Sequence, residues 1–202
     1  MTPTSTEPGP RSKTRRLARE LTLRLMYAVD TGSLTIEQAW ERCSPALLFE
    51  EDLPRPDTPI AIEANLPRAL KAAPASDAEG WTQAVDLAGQ LAGDQPPPAL
   101  GDDLASRAAR MARDWLEGWQ GRREDIDAAL GKASKRWKLS RMAAVDRNIL
   151  RLGAFEILGG ITPPRDAIFD GVELAKKYGD VNSPRFVNGI LDQLCREQKV
   201  DL

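Results

Sequence analysis

Apolar residues recur every three or four positions through both ends of this chain, the spacing of one helix face. In the first such segment they share one arc of a helical wheel: Leu17, Ala18, Leu21, Leu25, Ala28 and Val29. Arg15, Arg16 and Arg19 fall on the opposite arc. The pattern predicts a helix that begins near Arg15, packs its apolar face on the body and points three guanidinium groups to solvent.

A second, shorter helix is predicted after Thr35. Thr35 and Gln38 have the spacing of a capping box, in which each side chain hydrogen-bonds the other residue's backbone N–H. We expect this helix to pass Trp40 and to end near Pro45, where proline interrupts the backbone hydrogen bonds.

The helical pattern returns at Asp103 and continues to Trp137. The apolar stripe of the two helices predicted here comprises Leu104, Ala108, Met111, Ala112, Trp115 and Trp119, then Ile126, Ala129 and Leu130. Trp115 and Trp119 are one helical turn apart and could stack on bases. Core packing is favoured for both, because the rest of their stripe is aliphatic.

Three further helices are predicted in the last third of the chain. Ser140 is placed to cap the first of them, and Gly159 and Gly160 end it. Its inward positions are Met142, Val145, Ile149, Leu152 and Phe155.

The other two helices begin with the same signature, a capping residue followed by proline: Thr162 with Pro163, and Ser183 with Pro184. Gly179 ends the first of the two. Their inward positions are Ile168, Val172 and Ala175, then Val187, Ile190, Leu191 and Leu194. Because strand signals are absent, the predicted class is all-α.

Charge divides the 202 residues into three parts. Residues 1–29 and 104–202 each carry a net charge of +4, whereas residues 30–103 carry −10. Only the two ends are therefore suited to an anionic partner. We expect a disordered, basic-leading tail over residues 1–12 and one helical domain over 13–202, interrupted by a weakly ordered, acidic and proline-rich insertion at about 50–101.

Several kinds of chemistry are disfavoured by composition. The chain has no histidine, which removes His-activated nucleophiles and the common His-containing metal sites. Cys43 and Cys195 are far apart in sequence and favour reduced structural thiols, with a disulfide left open. No signal peptide or membrane-length apolar run is found, so we expect a cytoplasmic protein without cofactor or metal.

The principal candidate site is a basic arm. Arg11, Lys13, Arg15, Arg16 and Arg19 place five cations within nine residues with no acid between them. Guanidinium groups match phosphate oxygens and base edges, and arginine-rich segments commonly bind RNA. The alternative is a solvated helix start without a ligand. A second candidate is Arg185 with Phe186, a cation beside an aromatic ring, for which base stacking and core packing stay open.

These two ends resemble the NusB family. The first match is RRLARELTLRLMYAVD, which begins at Arg15. The second and more specific match comprises the segments VDR from Val145, ILR from Ile149, VELAK from Val172 and FVNGILD from Phe186, together with Glu156, Pro163 and Ile168. Gly171 departs from the alanine usual before VELAK, and within a helix it would mark close packing.

The resemblance implies two packed helical subdomains and a transcription antitermination factor. Such a factor binds boxA RNA together with NusE, a small-subunit ribosomal protein, within an antitermination complex of RNA polymerase. It also implies site residues by position: Lys13, Arg15, Arg16, Arg19, Arg185 and Phe186 on the RNA, and Asp146 near the RNA and partner surfaces.

Two alternatives remain beside this reading. One is an RNA-targeting domain related to ribosomal RNA methyltransferases, but the chain has no Gly-rich cofactor loop of the kind such an enzyme needs. The other is a structural homodimer. Leu23 and Met26 lie between the arginines on the outer arc of the first helix and would suit a dimer interface.

Overall fold

A computed structural model of the chain describes residues 10–32, 34–41 and 104–201. All regular structure in these ranges is helical, as predicted. The helices are α1 (Pro10–Gly32), α2 (residues 36–41), α3 (Leu104–Gly121), α4 (Arg123–Ala133), α5 (Ala144–Leu158), α6 (Pro164–Tyr178) and α7 (Ser183–Gln198). Residues 1–9, the predicted helix end near Pro45 and the predicted insertion at 50–101 lie outside the described residues.

The described helices form two groups, as the prediction of two packed subdomains required. α1 packs along α3, and α4 to α7 pack on one another. The groups meet where α1 lies against α5. Ten consecutive residues of α5, from Asn148 to Ile157, are buried. A helix that is buried on every side lies at the centre of its domain, so α5 is the central helix of the second group.

α1 differs from its prediction in two respects. It begins at Pro10, five residues before the predicted start at Arg15 and inside the segment that we expected to be disordered. Leu23 and Met26, predicted on an outer arc, are fully buried. The reason is that α3 covers one side of α1 while α5 covers another, so that both arcs of the helix face protein.

The capping predictions had mixed outcomes. The Thr35–Gln38 capping box is confirmed: the Thr35 N–H donates to the Gln38 side chain at 2.9 Å, and the Gln38 N–H donates to Thr35 Oγ1 at 3.2 Å. The prediction that Ser140 caps α5 is wrong. Ser140 lies in the 3-10 turn Leu139–Arg141, and the residue at the cap position of α5 is Ala143.

The two cap-and-proline signatures are each displaced by one residue. Pro163 rather than Thr162 occupies the cap position of α6, and Asn182 rather than Ser183 occupies that of α7. The displaced hydroxyls bond elsewhere. Ser183 Oγ accepts a hydrogen bond from the N–H of Asp180 at 2.8 Å, which closes the turn before α7.

The core agrees with the predicted stripes except at Leu104, which is exposed. Trp115 and Trp119 are both buried, as predicted. Cys195 is a free cysteine in the core, and burial raises the pKa of its thiol, whereas Cys43 lies outside the described residues. Within the described ranges, no helix combines the length and apolarity needed to cross a membrane.

Candidate nucleic-acid interface

The first turns of α1 present three cations to solvent. Lys13, Arg15 and Arg16 are all exposed. The guanidinium of Arg15 donates a long hydrogen bond, 3.5 Å, to the carbonyl of Ile161 in the turn between α5 and α6. The start of α1 therefore lies beside the end of α5. The side chain of Arg11 is outside the described part of the structure.

Arg19 does not belong to this exposed surface, and the prediction that it points to solvent is wrong. The residue is only 6% exposed. Its Nε and Nη2 donate to the two carboxylate oxygens of Glu156 at 2.8 and 2.7 Å, and its Nη1 lies 3.0 Å from the Asp170 carboxylate. At Arg19, the arc opposite the apolar face thus meets α5 and α6 instead of water.

The Arg19 cluster includes two further groups. Thr162 Oγ1 donates to Glu156 at 2.5 Å and accepts from Arg19 at 3.2 Å, which explains why it does not cap α6. The guanidinium also lies 5.5 Å from the centre of the Trp115 ring. Burial lowers the pKa of Arg19, but the hydrogen bond to Glu156 and the nearby carboxylates raise it by more, so Arg19 is charged. The cluster fixes α1 to α5 and α6 one turn after Arg15 and Arg16.

A second buried ion cluster fixes the other end of α1. Asp30 accepts hydrogen bonds from Arg147 at 2.6 Å and from Arg151 at 2.7 Å, both of which lie on α5. Arg151 also forms an ion pair with Asp127 of α4 at 2.7 Å. The arginines of the VDR and ILR segments therefore join helices. α1 is held at both ends, and its exposed cations are carried on a fixed support.

Arg185 and Phe186 lie at the start of α7, away from the arm. Arg185 is exposed. Phe186 is half-buried and packs against the core on one side, while its ring meets that of Trp137 edge to face at 6.2 Å and 82°. Core packing is thus part of the environment of Phe186, and base stacking by its ring stays a prediction.

Asp146 lies in the first turn of α5, near Ser183 of α7. Its Oδ1 is buried and has no hydrogen-bond partner within the described structure. Burial raises the pKa of Asp146, the hydrogen bond with Ser183 opposes that shift, and the charge of Asp180 adds to it. Asp146 is thus a partly buried carboxylate between α5 and α7 whose hydrogen-bonding capacity is not fully used.

The predicted site residues therefore fall into two clusters at opposite ends of α5. Arg15 reaches the turn after this helix, whereas Ser183 contacts Asp146 in its first turn. α5 has 15 residues, which at a rise of about 1.5 Å per residue separates the clusters by roughly 22 Å. A ligand that contacts both must run along the molecule.

Sequence reasoning missed the loop before α5. Trp137 was expected only as a helix end, yet α4 ends at Ala133 and Trp137 lies in the loop that follows. Its indole is 60% exposed. The available signal was the segment KRWK, a tryptophan set among cations from Lys135 to Lys138.

Comparisons with known proteins bear on this arrangement. The NusB family model matches residues 83–196. The chain belongs to the NusB family. Over 130 residues it is 39% identical to the transcription antitermination protein NusB of Geotalea daltonii, an alignment that covers 63% of this chain and 88% of the relative. The NusB of Trichlorobacter lovleyi is 44% identical over 95 residues, which cover 46% of this chain and 67% of the relative.

The fold agrees with a solved member of the same family. T. maritima NusB aligns with a TM-score of 0.52 at 23% identity, and the alignment covers 91% of each chain. At this identity the likeness concerns the helical fold alone. The resemblance carried by the two ends of the sequence is thus confirmed at the level of family and architecture.

Proposed function

We propose that this chain is a transcription antitermination factor that binds boxA RNA jointly with NusE and joins an antitermination complex of RNA polymerase in the cytoplasm. It acts by assembly and catalyses no reaction. The observation that carries the proposal is the exposed set Lys13, Arg15 and Arg16 on a helix whose next turn is fixed by the Arg19–Glu156 pair.

Preorganisation of the arm supports the proposal. An RNA-binding arm gains affinity when its cations are held in place before the ligand arrives, because less conformational entropy is lost on binding. Guanidinium groups then contact phosphates, and each contact releases counterions. Arg19 has a different role from the one predicted, since it positions the arm without touching the RNA.

The surface suggested for the homodimer alternative is not available for a dimer contact. It depended on Leu23 and Met26 on the outside of α1, and both are buried between helices of the same chain. Asp146, with its partly buried carboxylate between α5 and α7, stays the candidate for the contact with NusE, and Arg185 and Phe186 stay candidates for RNA.

The test is binding of a boxA-containing RNA at several salt concentrations, with and without NusE. The variant Arg15→Ala/Arg16→Ala should weaken binding and should make the dependence of log K on log salt shallower by about 1.4, at about 0.7 per phosphate contact on a single strand. Lys176→Ala/Arg196→Ala is the matched control, since it removes two exposed cations elsewhere on α6 and α7. Equal losses of RNA affinity in both double variants would mean that the RNA is attracted only by net charge, which would contradict a specific contact with the arm.

A further inference from the structure

Trp137 is an exception among the tryptophans of the described residues. Trp40, Trp115 and Trp119 are buried, whereas Trp137 is 60% exposed. Tryptophan is the largest side chain and is highly buried on average, so an indole that faces water has an unused contact surface. A single exposed apolar side chain is ordinary by itself, so the surroundings of Trp137 decide whether it marks a binding site.

The indole is nonetheless held in place. The N–H of Trp137 donates to the carbonyl of Ser134 at 2.8 Å, and Ser134 Oγ donates to the carbonyl of Trp137 at 3.0 Å. The ring meets Phe186 edge to face, at 6.2 Å and 82°. Both the backbone and the side chain are thus fixed, and the two rings form one aromatic corner between the loop and α7.

Cations surround this corner. The loop and its flanks carry five cations: Lys132, Lys135, Arg136, Lys138 and Arg141. No Asp or Glu occurs between Asp127 and Asp146. Lys135 is paired with Glu197 at 3.2 Å, whereas Arg136 and Lys138 are exposed, as is Arg185 beside Phe186. Fixed aromatic rings among exposed cations are how single-stranded nucleic acids are held, with bases on the rings and phosphates on the charges.

We propose that Trp137 and Phe186 form a base-stacking corner, with Arg136 and Lys138 contacting the adjacent phosphates. The inference rests on the proposed RNA-binding function, in which Phe186 is already a candidate contact, and adds Trp137, Arg136 and Lys138. This surface lies roughly 22 Å from the arm, along the 15 residues of α5. At the stacked spacing of about 3.4 Å per nucleotide, about seven nucleotides span the distance between the two surfaces; an extended strand spans it with fewer. These cations would not complement the charge of a protein partner unless that partner were acidic.

The test is a double-mutant cycle in which one change is made in the protein and the other in the RNA. The affinity of the full chain, without NusE, is measured for a boxA-containing RNA of about twelve nucleotides and for a series in which one nucleotide at a time is abasic. Trp137→Ala should weaken binding of the intact RNA about 5- to 100-fold, and Trp137→Phe should restore most of it. One abasic position should weaken binding by the wild type to a similar extent and should have no effect on Trp137→Ala.

The control is Phe169→Ala, because Phe169 is a 63% exposed aromatic elsewhere on α6. It should bind the RNA as the wild type does. Melting temperatures confirm that each variant is folded. If Trp137→Ala binds normally while Arg15→Ala/Arg16→Ala does not, the stacking corner is overturned and the proposed function stands. If neither variant loses affinity, the proposed function fails as well. A loss of NusE binding alone would make the corner a protein contact and would also overturn the inference.

Discussion

Arg19 and Glu156 are 137 positions apart in sequence, and three hydrogen bonds between buried groups join them. The pair links α1 to the central helix α5, and its geometry is that of a guanidinium fork on a carboxylate. Such a pair satisfies itself in the protein interior, whereas removal of Arg19 leaves Glu156 as a buried charge without its cation. This relationship makes a position that was predicted to contact RNA a determinant of folding.

Removal of one partner should therefore be costly. Arg19→Ala is expected to lower the free energy of unfolding by about 3–5 kcal/mol, measured by urea denaturation. Arg16→Ala, a change at an exposed neighbour, should alter it by no more than about 0.5 kcal/mol. In the double variant Arg19→Met/Glu156→Leu much of the loss should be recovered, since the buried carboxylate is removed together with its cation. Asp170 also loses its partner, but its side chain is 30% exposed and can be hydrated. Additive losses would contradict the coupling.

The Asp30 cluster predicts a dependence of stability on pH. Burial would raise the pKa of Asp30, but the hydrogen bonds and charges of Arg151 and Arg147 outweigh it and lower the pKa. The folded state therefore holds this proton less tightly than the unfolded chain, so the stabilisation is present above the ordinary pKa of the carboxyl and is lost as the pH falls through the lowered one. Asp30→Asn should be about 3 kcal/mol less stable than the wild type at pH 7.

That difference should shrink as the pH is lowered below the ordinary Asp range. Urea denaturation of both proteins between neutral and acidic pH measures the difference in the free energy of unfolding. The other carboxylates contribute equally to both proteins, so their contribution is removed by the subtraction. A difference that is constant down to the acid limit would mean that Asp30 is not coupled to its arginines in the folded state.

Asp146 predicts the opposite sign. Burial raises the pKa of Asp146, so the folded state binds this proton more tightly than the unfolded chain. The associated stabilisation is present at acidic pH and is lost as the pH rises through the raised pKa. Asp146→Asn should accordingly be more stable than the wild type at pH 7, and the gain should fade on acidification. If Asp146 contacts NusE, binding of NusE should weaken in the same variant. A free energy of unfolding that is unchanged at every pH would contradict an unfavourable burial of the Asp146 carboxylate.

Three helical glycines predict a graded series. A Cβ at Gly153 would lie 2.8 Å from the Leu191 side chain, one at Gly171 would lie 3.2 Å from it, and one at Gly189 would meet nothing within 4 Å. Each alanine gains about 1 kcal/mol in helix propensity, whereas overpacking costs about 1–3 kcal/mol. Gly189→Ala should stabilise, Gly171→Ala should be near neutral and Gly153→Ala should destabilise. Thermal unfolding checks the order, and a Gly153→Ala protein as stable as Gly189→Ala would contradict it.

The Gly171 prediction shows what a sequence signal can provide. Its departure from alanine was expected to mark close packing, and the structure confirms that α6 approaches the Leu191 and Val187 side chains of α7 there. The capping signals were less exact. Thr162 carries the signature of a helix cap, but its hydroxyl bonds to Glu156 instead. Local motifs state which bonds a side chain is able to make, and distant partners compete for the same atoms.

The sequence by itself determined the all-α class, the apolar stripes, the burial of Trp115 and Trp119 and the family. These properties depend on spacing within one element, and the helical period shows them directly. Only the tertiary structure decided that Arg19 is buried, that Leu23 and Met26 are internal and that Trp137 meets Phe186. The period identifies one face of a helix that must be covered. Whether another helix covers the remaining faces depends on contacts between residues that are distant in the sequence.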